Sequence, residues 1–250
     1  MTQEQQVLVI AHRGARGNAP ENTLAAFRLG IEHGCDAIEL DVHLSKDGEI
    51  IVIHDDTLDR TTDSKGFIND LTLEELKRAD AGRWFHESFE GERIPTLEEV
   101  FDLAPAGMMI NVEIKGSYGR KMEPALLELI HRKNRLQDVV VSSFDHKSLH
   151  YLKQLEPEIK IGLLYDANVM SHPAFANAFG LPVYSLHPQY KRIRAEDVQE
   201  SVKSGLKVFP YTINDEEKMK LAIQSGVSGI ITDYPGKLRQ ILSEIGVTAQ

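Results

Sequence analysis

Short apolar runs rich in β-branched residues recur along the chain and alternate with stretches of helical periodicity. The runs that predict β-strands are 7–11, 37–44, 50–53, 108–114, 139–143, 160–164, 183–186, 207–211 and 229–232. Between most of them lie stretches that predict helices, at 23–32, 96–103, 123–132, 146–155, 195–204 and 216–225. Strands that alternate with helices in this way indicate a parallel sheet with helical crossovers.

One pair of predicted strands breaks the alternation. Only residues 45–49, which include the turn pair Asp47-Gly48, separate run 37–44 from run 50–53. Because a parallel crossover needs about a dozen residues or more, these two runs are predicted to form an antiparallel hairpin. The hairpin would return His54 to the side of Leu40 and Asp41.

Setting aside the return arm 50–53 leaves eight predicted strands, the number found in a (β/α)8 TIM barrel. An open, doubly wound α/β sheet is the alternative fold. However, the chain lacks a Gly-rich strand-to-helix loop with the spacing of a dinucleotide site, and this favours the barrel.

The length of the chain suits one domain of this kind. A single α/β barrel can account for residues 1–250. Residues 55–93 exceed an ordinary strand-to-helix loop and contain one predicted helix at 72–79, with Thr72 as its N-cap. Because this insertion follows His54, we expect it to overhang the catalytic face and to shape the substrate entrance.

Charge and composition argue against several classes of partner. The formal net charge of −10 disfavours nucleic acid or an anionic membrane as the main partner. The single cysteine, Cys35, cannot form an intramolecular disulfide, and no window approaches the roughly 18 apolar residues of a transmembrane helix. Residues 1–6 lack the basic and apolar segments of a leader, so we expect a cytoplasmic protein without stable membrane association. A homodimer is compatible with the sequence, which does not set the oligomeric state.

Carboxylates lie near the ends of two predicted strands. Glu39 and Asp41 are two residues apart, so a strand directs both side chains to one face, and the same holds for Glu113 and Lys115. Glu39, Asp41 and Glu113 are therefore predicted to bind one hard divalent cation, Mg²⁺ or Ca²⁺, with Mn²⁺ also suitable. The alternative is that these carboxylates are solvated or paired with lysine. The apolar neighbours of Glu39 favour the metal, because an unpaired buried carboxylate is costly.

Two histidines and two cationic side chains accompany the carboxylates. His12 and His54 each close a predicted strand, and two histidines can exchange the acid and base roles that phosphodiester hydrolysis needs near neutral pH. The alternative for each is a structural hydrogen bond. Arg13 and Lys115 are predicted to bind phosphoryl oxygens, and both can also balance the charge of the carboxylates.

The order of these motifs along the chain resembles a known family. The matching segments are His12-Arg13-Gly14, Pro20-Glu21-Asn22-Thr23, Glu39-Leu40-Asp41, His54-Asp55-Asp56-Thr57-Leu58-Asp59-Arg60-Thr61-Thr62, Ile94-Pro95-Thr96-Leu97-Glu98-Glu99, Asn111-Val112-Glu113-Ile114-Lys115 and Gly229-Ile230-Ile231-Thr232-Asp233-Tyr234-Pro235. Over roughly residues 7–240 they resemble the glycerophosphodiester phosphodiesterase family. The resemblance implies a TIM barrel and metal-dependent hydrolysis of small glycerophosphodiesters, such as glycerophosphocholine or glycerophosphoethanolamine, to sn-glycerol 3-phosphate and an alcohol.

The resemblance also implies a route for the reaction, in which the glycerol 2-hydroxyl attacks phosphorus and water opens the resulting cyclic phosphate. Direct attack by water would use the same residues. Two other functions stay open at this point. A lysophospholipase D-type phosphodiesterase would need an apolar groove for an acyl chain, and a non-catalytic glycerophosphodiester-binding protein would be expected to lack a histidine or a metal ligand.

Six further residues are candidates for substrate contacts or for support of the site: Glu21, Asn22, Lys46, His187, Gln189 and Tyr211. For Glu21 and Asn22 we favour a role in starting the first helix and orienting neighbours. Tyr211 stands where the resembled family commonly has a tryptophan. The tyrosine keeps an aromatic wall but is expected to change the shape of the pocket on the alcohol side.

Overall fold

The computed structural model describes residues 7–246 as an alternating series of strands and helices. The strands are β1 (Leu8–His12), β2 (Ala37–Leu44), β3 (Ile50–Val52), β4 (Met109–Ile114), β5 (Val139–Ser143), β6 (Lys160–Tyr165), β7 (Ser185–Pro188), β8 (Lys207–Val208) and β9 (Gly229–Thr232). The helices are α1 (Leu24–Glu32), α2 (Leu73–Leu76), α3 (Leu97–Leu103), α4 (Met122–Arg132), α5 (His146–Leu155), α6 (His172–Asn177), α7 (Ala195–Lys203), α8 (Glu216–Ser225) and α9 (Pro235–Glu244). Residues 1–6, on which the expectation about a leader rests, and residues 247–250 lie outside the described part of the chain.

Eight of the strands form a parallel barrel. Their order is β8, β7, β6, β5, β4, β2, β1 and β9. Backbone hydrogen bonds from Ser228 N to Val208 O (3.0 Å) and from Ile231 N to Pro210 O (3.1 Å) join the two ends of this series. The ninth strand, β3, pairs antiparallel with β2. Both the predicted TIM barrel and the predicted hairpin are confirmed.

Strand β2 illustrates how alternation directs side chains into the barrel. Ile38 and Leu40 belong to the same hydrophobic cluster as Phe27 of α1, so this face of the strand packs against the surrounding helices. Because consecutive strand residues point to opposite faces, Glu39 and Asp41 point into the barrel. The fold thus sets two carboxylates in its interior.

The insertion at 55–93 has a small hydrophobic core of its own, which it shares with the hairpin. The members of this core are Ile51, Ile53, Leu58, Ile68, Leu76, Ala79, Ala81 and Ile94. Thr72 caps α2 and forms a capping box with Glu75, which confirms the predicted N-cap, although the helix already ends at Leu76. These contacts fix the insertion to the barrel beside the end of the hairpin.

The structure differs from the sequence prediction in several elements. The sequence does not predict α6, which has six residues with a proline in its first turn, or α9, which starts with Pro235-Gly236. Strand β8 ends at Val208 rather than at 211, because Pro210 has no N–H to donate to a neighbouring strand. Strand β7 runs from Ser185 to Pro188 rather than over 183–186. Within residues 7–246, no helix combines the length and the apolar character needed to cross a membrane.

Candidate active site

A cavity of about 500 Å³ opens at the carboxyl ends of the barrel strands. The residues that line it are His12, Arg13, Arg16, Glu39, His54, Asn111, Glu113, Lys115, Phe144, Leu164, Asp166, Gln189, Tyr211, Thr212 and Ile231. This is the end of the barrel at which TIM-barrel enzymes carry their active sites.

Three carboxylates cluster at this end of the barrel, where Glu39 and Glu113 line the cavity and Asp41 lies buried beside them. Asp41 of β2 is aligned with Glu113 of β4, and Glu39 with Asn111. Side chains of aligned residues share a face, and neighbouring strands are only about 4.8 Å apart. Glu39, Asp41 and Glu113 are all buried, and each offers an oxygen within 4.8 Å of the oxygens of the other two. The structure thus brings together the three residues that the sequence predicts as metal ligands.

The three carboxyl groups of the cluster differ in how readily they ionise when no cation is bound. Burial, together with the neighbouring Asp41, raises the pKa of Glu39 well above its usual range and that of Glu113 to about 7. Burial acts on Asp41 in the same direction, but Arg13 and Lys115 outweigh it and lower the pKa of that carboxyl. If all three carboxyl groups were ionised, they would carry more negative charge than Arg13 and Lys115 neutralise, so Glu39 and Glu113 ionise less readily than usual.

The donor set fits a divalent cation. Asp41 Oδ2 accepts a hydrogen bond from Asn22 Nδ2 (2.9 Å), whereas Asp41 Oδ1 is buried without a hydrogen-bond partner. Oxygens bound to one such cation at about 2.0–2.6 Å lie within about 5 Å of each other. The spacing of the three carboxylates meets this condition, so Glu39, Asp41 and Glu113 could hold a metal ion.

Arg13 reaches the cluster through a tight turn after β1. Its φ is 52°, and Gly14 follows with a φ of 79°. A Cβ on Gly14 would lie 2.5 Å from the carbonyl carbon of Ala26, so only glycine lets the turn pack directly on the backbone of α1. The Arg13 N–H donates to Glu39 Oε2 (2.9 Å), and its Nη1 donates to Glu21 Oε1 (2.7 Å). The guanidinium is thereby fixed beside the carboxylates.

His12 is oriented by a carboxylate at the end of the last strand. Its Nδ1 donates to Asp233 Oδ1 (2.6 Å), since an ionised carboxylate can only accept. Asn214 holds Asp233 in turn, donating from Nδ2 to Asp233 Oδ2 (2.7 Å) and accepting the Asp233 N–H (2.9 Å). His12 Nε2 lies 4.0 Å from Glu39 Oε2, so it faces the carboxylate cluster.

His54 is oriented in the same way, by the carboxylate that follows it in the chain. Its Nδ1 donates to Asp55 Oδ1 (2.7 Å), which leaves Nε2 free for the cavity. Burial lowers the pKa of His54, although the nearby Asp41 acts in the opposite direction. Burial also lowers the pKa of His12, against the hydrogen bond to Asp233. The lower values keep more of each ring in its neutral, proton-accepting form near neutral pH.

Three further predicted residues line the cavity. Lys115 Nζ donates to Glu113 Oε1 (2.7 Å) and lies 3.6 Å from Asp41 Oδ1. Tyr211 packs edge-on against Phe144, with ring centroids 6.1 Å apart, and these two residues form an aromatic part of the lining. Gln189, which directly follows β7, also lines the cavity.

The other candidates do not line the cavity. Glu21 and Asn22 lie behind it, where they hydrogen bond to Arg13 and Asp41 respectively. Lys46 lines a neighbouring hollow at the turn of the hairpin.

His187 lies inside the barrel below the cavity lining. Its Nε2 shares a hydrogen bond with Ser185 Oγ (2.8 Å), and burial lowers its pKa to about 3, so the ring is neutral. The absence of a side chain at Gly162 makes room for this ring, because a Cβ there would lie 2.4 Å from His187 Nε2. These contacts give His187 a structural role in the barrel interior.

The sequence did not single out several residues that complete the site. Asp233, Asp55 and Arg60 all stand in the resembled motifs, but nothing in their spacing assigns them to His12, His54 or Glu21. The available signals were that Asp233 directly follows the predicted strand 229–232 and that Asp55 directly follows His54. Among the described residues, no member of segment 55–93 lines the cavity. The insertion reaches the site through Asp55 and Arg60, and its role in shaping the entrance stays a prediction.

Comparison with known proteins agrees with this geometry. A glycerophosphodiester phosphodiesterase of Caldanaerobacter subterraneus subsp. tengcongensis is 46% identical over 244 residues, which cover 96% of this chain and 100% of the relative. A glycerophosphodiester phosphodiesterase of Bacillus altitudinis is 39% identical and covers 95% and 98%. A solved phosphodiesterase of Oleispira antarctica, in complex with the product sn-glycerol-3-phosphate, matches with a TM-score of 0.88 at 35% identity, covering 95% of this chain and 96% of that one.

The sequence model of the glycerophosphoryl diester phosphodiesterase family matches residues 12–237, which span the barrel from the end of β1 into α9. The match includes both histidines, the three carboxylates and both cationic residues of the cavity. The chain belongs to the glycerophosphoryl diester phosphodiesterase family of enzymes.

Proposed function

We propose that this enzyme hydrolyses small glycerophosphodiesters to sn-glycerol 3-phosphate and an alcohol. The observation that carries the proposal is a cavity lined by two carboxylate-oriented histidines, two cationic side chains and two of three clustered candidate metal ligands, with the third, Asp41, buried beside them. The names of the relatives, and the product in the Oleispira antarctica structure, support this substrate class.

Glu39, Asp41 and Glu113 are the proposed ligands of the cation. Mg²⁺ or Ca²⁺ would suit them best, and Mn²⁺ would also be accepted, because all three ligands are carboxylate oxygens. When bound, such a cation polarises a phosphoryl oxygen and lowers the pKa of a hydroxyl group next to it.

Arg13 and Lys115 are proposed to bind the phosphoryl group. Glu21 and Glu39 already hold Arg13 in place, and Glu113 holds Lys115, so neither cation has to reorganise during the reaction. Preorganised positive charge of this kind stabilises the charge that develops on phosphoryl oxygens in the transition state.

His12 and His54 are proposed to move the protons through their Nε2 atoms, because each Nδ1 is engaged by a carboxylate. Nε2 of one neutral ring takes the proton of the glycerol 2-hydroxyl while the hydroxyl oxygen bonds to phosphorus. Nε2–H of the other, protonated ring gives its proton to the alcohol oxygen as that oxygen leaves phosphorus. Water then opens the cyclic phosphate while the two rings exchange roles. The ring that has given up its proton takes one from water, and the other ring returns its proton to the glycerol 2-oxygen as that oxygen leaves phosphorus. Direct attack by water would use the same two atoms.

A substrate panel tests this proposal. Purified protein with added Mg²⁺, Ca²⁺ or Mn²⁺ is offered glycerophosphocholine, glycerophosphoethanolamine, an analogue with 1,3-propanediol in place of glycerol, and lysophosphatidylcholine. We expect release of glycerol 3-phosphate from the first two and, if the 2-hydroxyl is the nucleophile, no turnover of the analogue. Turnover of lysophosphatidylcholine alone would replace the proposal by a lysophospholipase D activity, and binding without turnover would replace it by a binding role.

Substitution of Asp233 tests the orientation of His12. Asp233→Asn is expected to lower kcat about 10–100-fold, because an amide can also donate to Nδ1 and so no longer enforces one tautomer. Asp215→Asn is the matched control, since Asp215 caps α8 by accepting from Lys218 N (3.0 Å) and asparagine caps helices equally well. A folded Asp233→Asn protein with the wild-type kcat would show that the carboxylate does not orient His12.

A further inference from the structure

Arg60 lies in the insertion and binds two carboxylates at once. Its Nε and Nη2 donate to Asp55 Oδ2 (2.7 Å) and Oδ1 (2.9 Å). Its Nη1 and Nη2 also donate to Glu21 Oε2 (3.1 Å) and Oε1 (2.7 Å). One guanidinium thus makes two forked contacts, an arrangement that only the planar arginine group can make.

Each of these carboxylates holds a residue of the catalytic site. Asp55 Oδ1 accepts the Nδ1–H of His54, and Glu21 Oε1 accepts Nη1–H of Arg13. Arg60 therefore connects the proposed proton-transfer ring to the proposed phosphate-binding cation. Arg60 is not among the described residues that line the cavity, so its contacts with the site run through Asp55 and Glu21.

The insertion fixes the backbone around Arg60. Leu58 is fully buried in the small core that the insertion shares with the hairpin. Thr62 Oγ1 donates to the carbonyl of Leu58 (2.8 Å), which closes the turn that carries Arg60. The packing of the insertion therefore fixes the backbone that carries the guanidinium, although the Arg60 side chain is 43% exposed.

The charges around Arg60 indicate how its loss would change the contacts that hold the active-site residues. Glu21 is buried, and burial alone would raise its pKa, yet the hydrogen bonds from Arg60 and the charge of Arg13 lower the pKa to about 2. Without Arg60, Glu21 would keep only Arg13 and the more distant Arg16, whose Nη2 lies 3.6 Å from Glu21 Oε2. Asp55 is partly exposed and would lose both of its arginine hydrogen bonds, so it could turn away from His54.

We propose that Arg60 is a positioning residue that sets the orientations of His54 and Arg13 together, so that the insertion supports catalysis without touching the substrate. The inference rests on the proposed function, because the roles of His54 and Arg13 belong to it. It assigns to the 55–93 segment a task that differs from shaping the entrance.

Steady-state kinetics of Arg60 variants test the proposal. Arg60→Ala is expected to lower kcat about 10–100-fold, in the range seen when residues that orient a catalytic group are lost. Arg60→Lys is expected to recover only part of this loss, because one ammonium group cannot make both forks. Guanidinium ion at non-denaturing millimolar concentration is expected to restore part of the activity of Arg60→Ala. Arg78→Ala is the matched control, since Arg78 is an exposed arginine of the same insertion that pairs with Glu74.

Several outcomes would overturn the proposal. One is a folded Arg60→Ala protein with kcat and KM within about twofold of wild type and of Arg78→Ala. Another is a combination of two results. Arg60→Ala loses activity that guanidinium does not restore, and Asp55→Asn and Glu21→Gln both keep full activity. If Arg60→Ala does not fold, Arg60→Lys and Asp55→Asn carry the test, and wild-type kcat in both would overturn it.

The test also separates this proposal from the proposed function. Absence of turnover by the wild-type enzyme would count against the proposed function alone. The crystal structure of Arg60→Ala then decides the positioning role without any substrate. Displaced His54 and Arg13 side chains would support it, and unchanged side chains would overturn it.

Discussion

Alanine at either His12 or His54 is expected to lower kcat for glycerophosphodiester hydrolysis about 10²–10⁴-fold while leaving the fold intact. Both rings line the cavity, and each presents Nε2 because its Nδ1 donates to Asp233 or Asp55. Neither ring can take over the other's task, since proton removal and proton donation occur at different oxygens. Steady-state rates and thermal melting of the two variants measure both parts of this expectation.

A substrate with a better leaving group would separate the two roles. When the departing alcohol is p-nitrophenol, its oxygen leaves without a proton, so the variant that lacks the acid should recover much of its rate. The variant that lacks the base should not recover. His131→Ala is the matched control, because His131 is an exposed histidine that pairs with Glu156 outside the cavity. Full activity of folded His12→Ala and His54→Ala proteins would refute the acid–base assignment.

Neutral replacements of the carboxylates are expected to abolish metal-dependent turnover. Each of the variants Glu39→Gln, Asp41→Asn and Glu113→Gln removes a charged oxygen ligand. We expect cation affinity to fall by more than about 100-fold, because loss of a residue that only hydrogen bonds to a metal ligand already costs about 10–100-fold. With the cation at about 100 times its Kd, the wild-type protein should gain about 2.7 kcal/mol of stability, whereas the variants should gain little. Calorimetric titration and thermal melts with and without cation measure these changes.

One of these variants, Glu39→Gln, is expected to be at least as stable as the wild-type protein when no cation is present. Burial and the neighbouring carboxylates disfavour the ionised form of Glu39, so glutamine at this position removes an unfavourable charge from the metal-free fold. Glu39→Gln is therefore expected to melt at or above the wild-type temperature in EDTA despite being inactive. Glu98→Gln is the control, because Glu98 pairs with Arg132 and Lys133 far from the cluster. Unchanged metal affinity in all three carboxylate variants would exclude this cluster as the metal site.

Much of the site could be predicted from the sequence because it depends on short-range rules. The two-residue period of a strand pairs Glu39 with Asp41, and the short hairpin turn returns the chain so that Ile53 N bonds to Asp41 O (3.0 Å) beside His54. Parallel strands end on one face of the barrel, so residues that close successive strands meet there. These rules need no knowledge of long-range contacts.

The remaining features depend on contacts between distant parts of the chain. Asp233 is 221 residues from His12, and the two meet only because β9 pairs with β1 when the barrel forms. The depth of His187 in the barrel likewise depends on the empty space at Gly162 of the neighbouring strand. Arg60 could be placed in a motif, but its two forked contacts follow from how the insertion packs on the hairpin. Local patterns contain none of this information.

Metal-dependent hydrolysis is tested by the release of glycerol 3-phosphate from glycerophosphoethanolamine. The protein is first stripped with EDTA and then supplied separately with Mg²⁺, Ca²⁺ or Mn²⁺. We expect turnover to disappear on stripping, to return with at least one of these cations, and not to return in Glu39→Gln. Undiminished turnover by the stripped protein would contradict this expectation, as would a folded, metal-loaded protein that releases no glycerol 3-phosphate.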